Sequence, residues 1–248
     1  MSIGIVLAGV TVIATAFGGL LALRSKDRLH LVLGLSAGLL LGLVGFDLLP
    51  EVFSLSSHSL GGAPVASVAL IGGFLLLHFL EQLSGSHEPA ETDYAHDHEH
   101  HSHITGIIGS FAMGGHIFLD GVALALAFRV SNSLGYAVFL ALIVHAFSDG
   151  LNTVALLIKG GHWNKKVVYL LILDAIARIG GATFGSKITI SDSVLTIYLA
   201  IFSGFVIYLA TAHILPEAHS KHPSKFTLAT TLIGVGIMWA VVASLGSI

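Results

Sequence analysis

Cysteine is absent from the 248-residue chain, which excludes disulfides, thiolate metal sites and a cysteine nucleophile. Charge is scarce too. Asp, Glu, Lys and Arg make up 10% of the residues, against roughly 25% in soluble domains. Proline occurs only five times, so breakers within the apolar runs are few. What remains is 54% hydrophobic, with a mean hydropathy of +0.90. Runs this long and this apolar describe a polytopic membrane protein. They also exclude a closed barrel, whose strands are short and alternate in polarity. The expected class is an all-α membrane protein in a lipid bilayer, with no nucleic-acid partner.

Polar breaks divide the chain into eight expected spans: 3–23, 30–53, 62–84, 104–129, 133–158, 166–186, 194–217 and 226–247. The first run, Ile3 to Leu23, has no basic segment before it and reads as a membrane span rather than a cleaved signal peptide. The basic residues fix the orientation. Arg24, Lys26, Arg28, Lys159, Lys165, Lys166, Lys221 and Lys225 fall on one side, and only Arg129 and Lys187 on the other. Cytoplasmic loops hold the basic excess, so both termini are expected outside. The expected location is the cell (cytoplasmic) membrane, crossed many times by a single transmembrane domain, 1–248. It comprises three helices (1–85), a loop (86–103), a central helix pair (104–160) and three more helices (161–248).

The loop 86–103 holds six of the fifteen histidines among acidic residues. It has too little apolar content to fold alone and is expected to be a disordered cytoplasmic segment. His96, His98, His100, His101 and His103 are its candidate metal binders, as short His-rich tracts commonly are.

Two phrases repeat inside apolar runs. His116-Ile117-Phe118-Leu119-Asp120-Gly121 and His145-Ala146-Phe147-Ser148-Asp149-Gly150 both read H-x-F-x-D-G. A spacing of four puts each His and its Asp on one helix face, a turn apart. An Asp at bilayer depth costs about 2.5–3.5 kcal/mol on insertion scales, so two such residues need a partner. A divalent ion answers both carboxylates and both imidazoles. The short link between spans four and five makes them antiparallel neighbours, so His116, Asp120, His145 and Asp149 can meet near the midplane. Two imidazoles and two carboxylates suit Zn²⁺ or another divalent transition metal, and the lack of thiolates disfavours Cu(I).

A second pair lies further out. Asp47-Leu48-Leu49-Pro50-Glu51 in span two resembles His213-Ile214-Leu215-Pro216-Glu217 in span seven. The two spans run in opposite directions, which suggests a 3+2+3 inverted repeat, a common transporter plan. Each proline frees the carbonyl four residues earlier and is expected to kink its helix. Asp47 and Glu51 are a candidate entrance. His213, Glu217 and His219, with His78 and Glu81 from span three, are a candidate exit. Asp174 and Arg178, four apart in span six, read as an intrahelical ion pair.

With these residues in place the chain resembles the ZIP (Zrt/Irt-like) family of metal transporters. The shared features are eight spans, outward termini, a His-rich loop after span three, metal motifs in spans four and five, and Leu-Pro-Glu phrases in spans two and seven. The resemblance implies uptake of Zn²⁺ or a related divalent ion into the cytoplasm by an alternating-access or elevator-like motion. The family's first metal position maps onto His116, Asp120, His145 and Asp149. Its second position departs from the pattern. Ile117 and Ala146 stand where a polar and an acidic residue are usual, and Arg178, in Arg178-Ile179-Gly180-Gly181-Ala182, stands where a carboxylate is expected. The implication is a single-metal site with Arg178 as substitute for the second cation. The two readings of Arg178, partner of Asp174 and neighbour of the metal, both stay open. Small-residue faces leave room for a homodimer.

One alternative is an intramembrane zinc-dependent hydrolase, which needs an open coordination position and a nearby base. The chain has no H-E-x-x-H phrase, and its polar steps at both ends favour a path over a closed pocket, so no enzymatic activity is expected. A metal sensor without flux is the other alternative.

Overall fold

A computed structural model describes residues 2–22, 29–56, 58–84, 102–157, 165–220 and 225–245. Nearly all of these are helical: α1 (Ile3–Ala22), α2 (Leu29–Leu43), α3 (Leu49–Leu55), α4 (Val65–Ser84), α5 (Ser102–Val130), α6 (Asn132–Leu157), α7 (Lys165–Lys187), α8 (Asp192–Tyr208), α9 (Leu215–Ser220) and α10 (Lys225–Leu245). By length and apolar composition, six stretches can cross a membrane: Ile3–Leu20, His30–Leu55, Val65–Gln82, Val168–Lys187, Asp192–His219 and Lys225–Ser244. The protein is therefore an all-α membrane protein. Among the described residues the only strands, unanticipated in the sequence, form a hairpin of β1 (Ser59–Leu60) and β2 (Ala63–Pro64), with Ser59 opposite Pro64. Its two turn residues, Gly61 and Gly62, take positive φ of 59° and 87°, as a tight hairpin turn requires. It shortens the expected third span, which begins at Val65 rather than at residue 62.

Two of the stretches are composite. α2 runs into α3 through a π-helical turn, Val44–Leu48, and α8 into α9 through another, Leu209–Ile214. Each ends immediately before a Leu-Pro-Glu phrase. Pro50 and Pro216 have no N–H for the carbonyls of Phe46 and Ala212. The register widens instead. The Leu49 N–H bonds the carbonyl of Val44, and the Leu215 N–H that of Ala210. Where the sequence predicts a kink at each proline, the structure shows a π-turn just before it.

The helices pack as two groups. α1, α5, α6 and α7 form one, with α1 lying along α6 and α5 along α7. The α2–α3 and α8–α9 rods, α4 and α10 form the other, with α2 along α10 and α4 along α8. Close approach depends on missing Cβ atoms. A Cβ on Gly38 would strike the carbonyl of Thr231, and one on Gly204 that of Leu70. Gly38 and Gly204 are as far apart in sequence as Pro50 and Pro216, so the two helix pairs are in matching register.

Gly38→Ala should cost about 1–3 kcal/mol of stability through overpacking, whereas Gly236→Ala, where a Cβ meets nothing within 4 Å, should be neutral. Thermal unfolding of both variants in detergent checks this. Equal effects would contradict the packing.

Candidate metal centre

The connection between α5 and α6 is a single residue, Ser131, whose hydroxyl accepts the Leu134 N–H at 3.0 Å and so caps α6. With so short a turn the helices are antiparallel. His116, roughly four turns before the end of α5, faces His145, roughly four turns into α6. Their Nε2 atoms are 3.3 Å apart and their rings lie edge to face, with centroids 5.6 Å apart. Each imidazole also faces the Asp one turn on: His116 Nε2 is 3.6 Å from Asp120 Oδ2, and His145 Nε2 is 3.4 Å from Asp149 Oδ2. One ligand atom from each of His116, Asp120 and His145 fits within a mutual 4.8 Å. Asp149, the fourth expected residue, adjoins this triplet without joining it.

The displaced carboxylate faces Arg178, which is 1% exposed on α7. α7 reaches this position because Gly121 has no Cβ to collide with the Arg178 carbonyl. The guanidinium meets three carboxylates: Nη1 is 3.6 Å from Asp120 Oδ2, and Nη2 is 3.6 Å from Asp149 Oδ2 and 3.4 Å from Asp174 Oδ1. Arg178 therefore pairs with Asp174, as their spacing predicts, and also lies beside Asp120 and Asp149. When all three carboxylates are ionised, one guanidinium leaves an excess of two negative charges, the charge a divalent ion brings. Asp120 Oδ2 and Asp149 Oδ2 are buried without a hydrogen-bond partner. Such orphaned acceptors cost roughly 1–3 kcal/mol, and more when charged. A cation among the imidazoles and carboxylates would relieve both. Ile117 and Ala146, the substituted second-position residues, are buried and offer no donor atom.

At one end of the bundle, Asp47 sits in the first π-turn, half-buried, with Oδ2 lacking a hydrogen-bond partner. Glu51 follows one turn on, also half-buried. At the opposite end, α4 and the second π-turn bring together His78, Glu81 and His213. His213 Nε2 is 2.7 Å from Glu81 Oε2, and the Tyr208 hydroxyl donates to the same oxygen at 2.5 Å while lying 3.0 Å from His78 Nδ1. Glu217 is exposed, and His219 Nδ1 turns back to the Leu215 carbonyl of its own helix at 2.8 Å. His96, His98, His100 and His101 lie outside the described residues; His103 falls in the first turn of α5.

Three residues at these sites escaped the sequence reading. Tyr208 joins the His78–Glu81–His213 cluster. Thr15 of α1 lies beside Asp174, with its hydroxyl donating to the Thr11 carbonyl at 3.2 Å. Tyr198 of α8 donates to the Leu119 carbonyl at 3.0 Å, beside Asp120. The available signal was weak: a hydroxyl within an apolar run must find a partner, but nothing in the sequence says which.

Apolar helices that enclose two imidazoles and a divalent deficit of charge define an integral membrane protein with a site suited to a metal ion. The chain belongs to the ZIP zinc transporter family, whose model, described as ZIP Zinc transporter, matches residues 83–242. It is 34% identical over 129 residues to the zinc transporter foi of Drosophila melanogaster, covering 50% of this chain but only 18% of the fly protein. Similarity to the zinc transporter ZIP9 of Xenopus tropicalis is 26% and spans 90% of this chain and 85% of the frog protein. The zinc transporter ZupT of Chlorobium luteolum is also 26% identical, over 91% of each chain.

Asp120→Asn should lower zinc affinity by about 100-fold or more, beyond the 10–100-fold typical of losing an outer-shell partner. Titration of purified protein with zinc checks this, and unchanged affinity would remove Asp120 from the site.

Proposed function

We propose that the protein carries Zn²⁺, or a related divalent transition metal, into the cytoplasm through a single-metal site made by His116, Asp120, His145 and Asp149. The observation that carries this reading is the convergence of His116, Asp120 and His145 on one point, beside carboxylates in excess over their one guanidinium. In this reading the metal is cargo. It exchanges water for imidazole and carboxylate, and Arg178 fills the place of a second cation. Asp47 and Glu51 receive the ion outside. His78, Glu81 and His213, then Glu217, His219 and the loop histidines, take it inside.

The motion rests on an inverted repeat of eight spans: α1, α2–α3 and α4 mirrored by α7, α8–α9 and α10, with α5 and α6 between, and both termini outside the cell membrane. Three features support it. The π-turns precede matching Leu-Pro-Glu phrases, the glycine contacts keep the same register in both halves, and the chief helix partners exchange under the same mapping. The repeat is not symmetric in its contacts between groups. α2 lies along α6, while the corresponding α8 and α5 meet only slightly. Exchanging these two arrangements would turn the site from one membrane face to the other, which is alternating access. A homodimer is compatible with this plan and not required by it.

A hydrolase would need a carboxylate free to act as base. The further carboxylate on the guanidinium, Asp174, is tied to Arg178 through Oδ1, which disfavours that alternative.

Purified protein in proteoliposomes should take up zinc saturably, and Asp149→Ala should abolish uptake. Zinc binding that needs Asp149 without any flux would contradict a carrier. The chain's natural lack of cysteine makes topology easy to test. Single cysteines at Ser2 and Ser247 should react with an impermeant maleimide from outside intact cells, and one at Ser224 only after lysis. The reverse pattern would invert the orientation.

A further inference from the structure

Arg178 touches the same oxygen atoms that face the histidines. Asp120 Oδ2 lies 3.6 Å from His116 Nε2 and 3.6 Å from Arg178 Nη1. Asp149 Oδ2 lies 3.4 Å from His145 Nε2 and 3.6 Å from Arg178 Nη2. Neither oxygen has a hydrogen-bond partner, and Arg178 Nε and Nη1 are also buried without an acceptor. A guanidinium saturated by one carboxylate would close to a bidentate pair. This one is spread over three carboxylates and makes a single long hydrogen bond, from Nη2 to Asp174 Oδ1 at 3.4 Å.

The third carboxylate has no counterpart in the other half of the molecule. Gly121 abuts the Arg178 carbonyl, and Gly150, its match in the repeated phrase, abuts the Thr15 carbonyl. Thr15 is thus the α1 counterpart of Arg178, and Thr11, one turn earlier, that of Asp174. Two neutral threonines in α1 are replaced by an ion pair in α7. Across this boundary the Thr15 hydroxyl, which donates to the Thr11 carbonyl at 3.2 Å, lies beside the Asp174 carboxylate.

Resting on the metal-site reading above, we infer that Arg178 and the metal ion are alternative counter-ions for Asp120 and Asp149, and that Asp174 is the positioning residue that takes the guanidinium when metal binds. The guanidinium is a tethered competitor. It keeps the two ligand carboxylates from standing unpaired when no metal is present, and it limits how tightly metal is held when present. The shift is small, because Nη2 already lies 3.4 Å from Asp174 Oδ1. Metal arrival trades a shared guanidinium for an intrahelical Asp174–Arg178 pair.

The test is a double-mutant cycle on zinc affinity, measured by equilibrium dialysis on the full-length chain in detergent, with Asp149→Ala subtracted to remove binding by the loop. Arg178→Gln should tighten zinc binding about tenfold, in the range of coupling between groups in contact. Asp174→Asn should weaken it about tenfold while Arg178 is present, and about twofold or less in the Arg178→Gln background. Thr15→Val should weaken it about threefold only when Asp174 is intact. That last pair decides the question if Arg178→Gln does not fold. Equal effects of Asp174→Asn in both backgrounds, weaker binding in Arg178→Gln, or a silent Thr15→Val would overturn the inference and leave Arg178 a structural counter-ion. If the wild type shows no Asp149-dependent binding, the metal-site reading itself fails, and with it this inference.

Discussion

Burying one guanidinium among three carboxylates in an apolar bundle sets the terms for everything around it. An isolated charge at that depth is costly, and removing one partner of a buried pair typically costs about 3–5 kcal/mol. The arrangement is tolerable only if the charges stay close, and they stay close only if three helices do. α5, α6 and α7 each bring a carboxylate, and α7 brings the cation as well. The missing Cβ of Gly121 brings α7 within reach. Packing and electrostatics are therefore one constraint here, read at backbone and side-chain level.

The same constraint separates this centre from an inert ion-pair network. A network built for stability satisfies its polar atoms, since half-satisfied buried groups are a liability. Here Asp120 Oδ2, Asp149 Oδ2 and Arg178 Nη1 all lack hydrogen-bond partners, and two imidazole nitrogens face each other at 3.3 Å. Buried groups left short of partners around a common point suit a passing cation better than a fixed structure. A carrier must bind its cargo well enough to strip water and loosely enough to let go.

Much of this was legible in the sequence, because its carriers are periodic. The H-x-F-x-D-G phrases fix which face holds His116 and Asp120, and the single-residue link makes their partners meet. The Leu-Pro-Glu phrases mark the helices that deform. Other features depend on distance across the fold. The Asp174–Arg178 spacing predicts an intrahelical pair; that the same guanidinium also spans to Asp120 and Asp149 depends on how closely α7 approaches α5, which no local pattern encodes. Asp149 falls outside the tight triplet for the same reason. Tyr208 shows the limit differently: its apolar surroundings say its hydroxyl needs a partner, while Glu81 lies more than a hundred residues away. The hairpin at Gly61-Gly62 had a turn signal but flanking strands of only two residues each, too short to show alternation.

The central claim is that one divalent ion sits between α5 and α6 on nitrogen and oxygen donors, with Arg178 beside it instead of a second ion. Zinc K-edge X-ray absorption on protein with His96, His98, His100, His101 and His103 replaced by Asn tests it most directly, with stoichiometry measured on the same sample. The account predicts one zinc per chain in a first shell of two imidazoles and oxygen donors, with no metal–metal scattering. Two zincs with a metal–metal vector, or no bound zinc once the loop histidines are gone, would contradict it.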